Sequence, residues 1–140
     1  MRSVAFLVSL VVLALIPAVA GADGSLVSFQ TPSKRIGCVY SHRSGEVAAL
    51  RCDVVDVVNP KAKPKSCELD YGSAFGLGPT GKGRWLCVGD TVLDPKAKVL
   101  AYGRTRTLGP FTCVSRTTGL RCATTAGHGF EISRTAQRVF

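Results

Sequence analysis

The sequence predicts an all-β domain: a small antiparallel β-barrel or sandwich stapled by three disulfides and preceded by a cleaved signal peptide. Three observations carry this. Beyond residue 22, short apolar runs are broken by Gly, Pro, Ser and Asp roughly every 8–12 residues, with little helical periodicity. Six cysteines follow an export-type N terminus, and an exported small chain with an even cysteine count reads as a disulfide framework. Four of the six stand in two copies of one pattern. Cys38-Val39 leads through Gly45 to Leu50-Arg51-Cys52, and Cys113-Val114 leads through Gly119 to Leu120-Arg121-Cys122.

The N-terminal segment is a targeting signal. Met1-Arg2 supplies a positive start, Val4 to Ile16 is apolar apart from Ser9, and Pro17 ends the run. Ala18-Val19-Ala20 fits an A-x-A cleavage site, with Ala22 the second choice. The run falls short of the ~20 residues of a membrane span. Residues 1–22 are therefore assigned to the signal peptide and residues 23–140 to a single disulfide-stabilised β domain.

Strands are expected at Leu26–Gln30, Ile36–Ser41, Ala48–Val55, Cys67–Leu69, Arg84–Val88, Val99–Leu100, Gly109–Ser115, Leu120–Thr124, Phe130–Ser133 and Ala136–Phe140. Ser44-Gly45, Thr118-Gly119 and Gly127-His128-Gly129 mark turns. Asn59–Ser66 and Tyr71–Gly83 read as long loops. In the last strand pair, Phe130 and Ile132 should share one face, alternating with Glu131 and Ser133. Arg134 is expected to pair with Asp90 or Asp70 beneath the Gly127-His128-Gly129 turn.

Six cysteines allow 15 pairings. The favoured set is Cys38–Cys52, Cys67–Cys87 and Cys113–Cys122. The first and third would cross-link hairpin arms, and the second would close the loop holding the glycine-rich stretch. Loops of this size give roughly 2.5–3.3 kcal/mol each in the chain-entropy model. A zinc site is disfavoured, because no C-x-x-C occurs and the only histidines are His42 and His128.

Charge bears on partners. The 18 Lys+Arg become 17 without Arg2, against 9 Asp+Glu, a net charge near +8. Such a protein is drawn to anionic surfaces. The expected partners are an acidic cell-wall polymer or an extracellular protein, with no specific nucleic acid, no membrane span after signal cleavage, and a monomeric state. The residues that fit binding are Lys61, Lys63, Lys65, Lys82, Arg84, Trp85, Lys96, Lys98 and His128. Solvated lysines and a core Trp85 are the simpler reading of the same residues.

Enzymatic motifs are weak. Gly76-Leu77-Gly78-Pro79-Thr80-Gly81-Lys82 fits the core of a phosphate-binding loop, but Gly83 replaces the Ser/Thr that would hold magnesium. Arg84-Trp85-Leu86-Cys87-Val88 then reads as a strand, where that motif needs a helix. Asp90, Ser115 and His128 hold the elements of a nucleophilic triad without a nucleophile elbow. Glu46, Asp53, Asp56, Glu68, Asp70, Asp90, Asp94 and Glu131, the acids that could act in pairs, show no telling local context. No catalytic residue, cofactor or metal is assigned.

The C-terminal half carries a resemblance. Leu108-Gly109-Pro110-Phe111-Thr112-Cys113, Gly119-Leu120-Arg121-Cys122 and Gly127-His128-Gly129-Phe130-Glu131-Ile132-Ser133-Arg134 are similar to a family of small secreted, six-cysteine bacterial proteins, mainly actinobacterial, known only as a domain of unknown function. Upstream, Thr31-Pro32-Ser33, Ile36-Gly37-Cys38, Leu69-Asp70-Tyr71-Gly72 and Cys87-Val88-Gly89-Asp90-Thr91 extend the similarity over about residues 29–140. The resemblance implies export, one compact domain and three bridges, and supplies no catalytic residue. Lys34-Arg35 departs from the Gly-Asn the family tends to show, which disfavours a tight turn there and adds two positive charges.

The functional expectation is a secreted, non-enzymatic protein, extracellular or in the cell envelope, that binds an anionic envelope polymer or an extracellular protein. The alternatives are a small extracellular hydrolase using His128 with Asp90 or Ser115, and a structural envelope component.

Overall fold

Alternating burial marks the strands Phe111–Arg116 and Gly119–Thr124, each with one face turned inward. In the computed structural model, which describes residues 24–140, eleven strands build two stacked sheets. The first sheet holds β1 (Gly24–Gln30), β2 (Ile36–Arg43), β3 (Ala49–Val54), β4 (Asp70–Leu77), β5 (Arg84–Val88) and β6 (Lys98–Val99), in the order β5-β4-β3-β2-β1-β6. The second holds β7 (Thr105–Leu108), β8 (Phe111–Arg116), β9 (Gly119–Thr124), β10 (Gly129–Ile132) and β11 (Gln137–Val139), in the order β11-β10-β9-β8-β7. Pairing is antiparallel except between β1 and β6. Of the two architectures the sequence allows, the sandwich is the one adopted; the sheets do not close into a barrel.

Phe29, Phe75, Phe111 and Phe130 are completely buried between the sheets. Phe75 meets Phe130 at 5.9 Å between ring centroids, and the Tyr40 ring stands edge-on to Phe111 at 6.1 Å. Strand β9 alternates strictly, with Leu120, Cys122 and Thr124 buried, as period-two geometry requires of a strand with one face inward. Phe130 and Ile132 share the buried face of β10, as the sequence indicates.

The three favoured disulfides all form: Cys38–Cys52, Cys67–Cys87 and Cys113–Cys122. Cys38 lies directly opposite Cys52 in the β2–β3 register, and Cys113 directly opposite Cys122 in β8–β9. Each hairpin thus carries a bridge on its inner face, inside the shared core.

Four expectations are corrected. Cys67–Leu69 is not a strand, and Tyr71–Gly83 is not a loop: Asp70–Leu77 forms β4, in the sheet interior between β3 and β5. Its small residues hid it. A side chain at Gly76 would press on Leu86, and one at Gly72, in the left-handed region at φ 95°, on Pro60. The register shifts between Tyr71 and Phe75, a bulge that uses such a glycine. Next, Gly109 does not begin a strand; it turns the chain between β7 and β8 at φ 53°. Finally, a tight turn does form at Lys34, which takes φ 56° and donates its backbone N–H to the Thr31 carbonyl at 2.9 Å. The signal-peptide assignment, residues 1–22, lies outside the described residues.

Candidate functional site

The lysines proposed from the sequence separate into two groups. Lys61, Lys63 and Lys65 lie in the exposed segment before β4, and Lys82 and Arg84 at the β4–β5 turn. Lys96 and Lys98 lie at β6, the opposite edge of the same sheet. Five strand spacings separate those edges, about 24 Å along the sheet. Lys61 is further committed to Trp85, with its Nζ 5.5 Å from the ring centroid, and Lys63 donates to the Leu69 carbonyl at 3.2 Å. Trp85 itself is half-buried and packs on Phe75 at 4.6 Å and beside Tyr71 at 6.2 Å. Its role as packing residue accounts for these contacts.

Asp90, Ser115 and His128 are not drawn together by any hydrogen bond among the described residues. The Asp90 carboxylate accepts from Arg51 at 2.8 Å. That hydrogen bond, with the Arg51 charge behind it, holds Asp90 below the ordinary carboxylate range. Ser115 is fully buried in β8, and its hydroxyl has no hydrogen-bond partner among the described residues. His128 sits in the β9–β10 turn, where its carbonyl accepts from the Thr124 N–H at 2.8 Å. Arg134 does not pair with Asp90 or Asp70. Its Nε donates to the backbone carbonyl of Asp56 at 3.1 Å, because the β10–β11 turn lies against the 55–59 segment.

The convergent site is elsewhere. Three turns meet at one end of the sandwich around an open cleft of about 410 Å³. This falls within the ~300–1,000 Å³ range of small-molecule sites. The turn before β2 contributes Thr31, Ser33 and Arg35; the β8–β9 turn contributes Arg116, Thr117 and Thr118; the β10–β11 turn contributes Ser133, Arg134 and Thr135. Buried Ile36 lies at the base, and Tyr102, 42% exposed, at the margin.

Local folding explains what each group has left to offer. The Thr31 hydroxyl lies within reach of the Ser33 hydroxyl and the Ile36 carbonyl, so both side chains serve the turn. The Ser133 hydroxyl accepts from the N–H groups of Thr135 and Ala136 and holds its own turn. Arg35 forms an ion pair with Asp56, with 44% and 64% of the two side chains exposed. Beyond the Nε bond, the terminal nitrogens of Arg134 make no hydrogen bond among the described residues. Arg116 makes no ion pair or side-chain hydrogen bond among the described residues. Among the described residues the cleft lining therefore includes three arginines and no acidic residue, and Asp56 pairs with Arg35 beside it.

Sequence reading missed this cleft because its parts are far apart in the chain. A signal was present: Thr31-Pro32-Ser33-Lys34-Arg35, Ser115-Arg116-Thr117-Thr118 and Ser133-Arg134-Thr135 each set an arginine among hydroxyls at a turn. Only the stacking of the sheets shows that these three turns share one end.

Residues 6–140 match the model described as Family of unknown function (DUF6636), and the chain belongs to that family. No curated protein and no solved structure matches it.

Proposed function

We propose that this family member is an exported, non-enzymatic binding protein of the cell envelope or extracellular medium, and that it holds an anionic ligand in the three-arginine cleft. One observation carries the reading: Arg35, Arg116 and Arg134 come from three distant segments to one concave surface, surrounded by hydroxyl groups. Guanidinium groups are donors only, always charged, and suited to carboxylate, phosphate and sulfate oxygens. The net charge of the chain favours approach of an anion. The export-type N terminus and the three disulfides fit an oxidising, extracytoplasmic setting. The lysines at the two sheet edges add long-range attraction rather than a second site.

The test is a pull-down with the oxidised mature protein on envelope and culture fractions of the source organism, washed across a salt series. Retention of an anionic polymer or an acidic protein, released as salt rises and lost in an Arg116→Ala/Arg134→Ala double variant, is the expected result. Equal retention by the double variant would remove the cleft from the function.

A further inference from the structure

Resting on that reading, we infer that the cleft selects a phosphate or sulfate ester carried on a polyol or sugar, in preference to a carboxylate-bearing ligand. The first argument is shape. A carboxylate is planar, and one guanidinium fork satisfies it in its own plane. A phosphate or sulfate group is tetrahedral and accepts hydrogen bonds from several directions at once. The cleft brings arginines together from three walls, and among the described residues two of them keep unengaged donors: Arg116 by the β8–β9 turn and the terminal nitrogens of Arg134 in the β10–β11 turn, while Arg35 of the turn before β2 is held by Asp56.

The second argument is occupancy. Arg35 already holds a carboxylate, that of Asp56. A ligand carboxylate at Arg35 only replaces one such group by another, and it must be brought from solution whereas Asp56 is tethered. Asp56 is fixed in turn: it takes the left-handed conformation at φ 52°, its carbonyl accepts from Arg134, and the neighbouring Val55 N–H donates to the Arg35 carbonyl at 2.9 Å. It therefore acts as an internal competitor against single carboxylates. A tetrahedral group keeps Arg116 and the free nitrogens of Arg134 available without displacing it.

The third argument concerns the rest of the ligand. Thr117 and Thr118 make no side-chain hydrogen bond among the described residues, and the Thr135 hydroxyl has only a long 3.4 Å contact with Ser133. Threonine hydroxyls both donate and accept, so they can serve ligand hydroxyls, which the donor-only arginines cannot fully satisfy. The Tyr102 ring offers an apolar face to a carbon skeleton beside them.

Calorimetric titration of the oxidised mature chain at fixed ionic strength tests this with glycerol 3-phosphate, glucose 6-sulfate and glucuronate. The esters should bind at least about 10-fold tighter than glucuronate, and Arg116→Gln should weaken them about 10-fold. Asp56→Asn frees Arg35, and, compared at equal ligand charge, should tighten glucuronate more than glucose 6-sulfate and so narrow that gap. Parallel co-sedimentation with poly(glycerol phosphate) and with phosphatidylglycerol vesicles assigns the source of the ester, a polymer or a lipid headgroup. Glucuronate binding as tightly as the esters, or no ester binding at all, overturns the selectivity. In either case an Arg116/Arg134-dependent pull-down leaves the broader anion reading standing, and loss of that dependence removes both.

Discussion

Arg51 shows how one outward-facing side chain ties two parts of the first sheet together. It lies on β3 and donates to both oxygens of Asp53, at 2.9 Å each, and to the Asp90 carboxylate and carbonyl at 2.8 Å. Asp53 is buried, and also accepts from the Val92 N–H at 3.0 Å. Partial burial works against the Arg51 charge, but hydrogen bonds to Asp53 and Asp90, with their charges, outweigh it and raise its pKa. Replacing Arg51 with Met would leave the buried Asp53 carboxylate without its cation. A loss of about 2–3 kcal/mol in urea unfolding is expected, toward the lower end for a broken buried pair because Arg51 keeps some solvent contact. Asp90 gives a pH signature of defined sign. Its folded-state pKa is depressed, so its contribution is present above the ordinary value near 3.8 and is lost as pH falls below it. Asp90→Asn should therefore lower stability at neutral pH, and the difference from wild type should shrink as pH drops below about 4. A difference that stays constant from pH 7 to pH 3 would show that the Arg51–Asp90 pair contributes nothing. Residues 51 and 53 share a face of the expected strand Ala48–Val55, so that pair was open to a sequence reading, but Asp90, 39 positions after Arg51, has nothing to mark it as a partner.

At the level of elements, the repeated cysteine pattern was fully legible and has a physical reason. In the β2–β3 hairpin Cys38 faces Cys52, Val39 faces Arg51 and Tyr40 faces Leu50; in β8–β9 Cys113 faces Cys122, Val114 faces Arg121 and Ser115 faces Leu120. The spacing sets bridge and apolar partner inward, and the Val–Arg pair outward, in both hairpins. Strand β4 was illegible for the opposite reason. A strand between two neighbours is normally read from branched and aromatic residues, and Gly72, Ser73, Ala74 and Gly76 give little of that signal. The two glycines have packing reasons: Pro60 lies over Gly72 and Leu86 over Gly76. The hairpin bridges should not be equivalent to the third. Cys113→Ala/Cys122→Ala removes a bridge of sequence separation 9 from the fully buried core, so about 2.5 kcal/mol of chain-entropy stabilisation is lost together with the packing of two sulfur atoms. Cys67→Ala/Cys87→Ala opens a bridge whose Cys87 end is exposed and which fastens the segment before β4 to β5. The longer loop gives that bridge about 3.3 kcal/mol on the entropy count alone. If core packing decides, denaturant midpoints will rank the Cys113/Cys122 variant as the less stable. The reverse ranking would mean that loop length decides.

The whole molecule depends on how the two sheets are joined at their margins. On one side, the Leu100 N–H donates to the Gln30 carbonyl in the first sheet, and three and four residues later the Gly103 N–H donates to the Ser115 carbonyl and the Arg104 carbonyl accepts from the Ser115 N–H in the second. On the other side the Phe140 carbonyl accepts from both Gly83 and Gly129, at 3.1 and 2.7 Å. Gly83 precedes β5 and Gly129 opens β10, so this carbonyl connects the outer edge of one sheet to an inner strand of the other. The approach is so close that a Cβ on Gly83 would overlap the backbone carbonyl of Gly129. Gly83 is the position where the apparent phosphate-loop motif lacks its Ser/Thr, and this contact gives the glycine a packing reason. Because backbone is met rather than a flexible side chain, the strain cannot be relieved by a rotamer change. Gly83→Ala should cost about 2–3 kcal/mol, in the class of overpacking substitutions. For a domain of this size that corresponds to a Tm lower by roughly 6–15 °C. Gly78→Ala, in the same glycine-rich run, is the control. A Cβ there meets nothing closer than the Thr80 carbonyl at 3.5 Å, and its Tm should stay within about 2 °C of wild type. Similar melting of the two variants would mean that the junction at Phe140 yields readily and that the shared core alone holds the sheets together. A selective loss at Gly83 would place part of the fold's cooperativity in this one backbone contact.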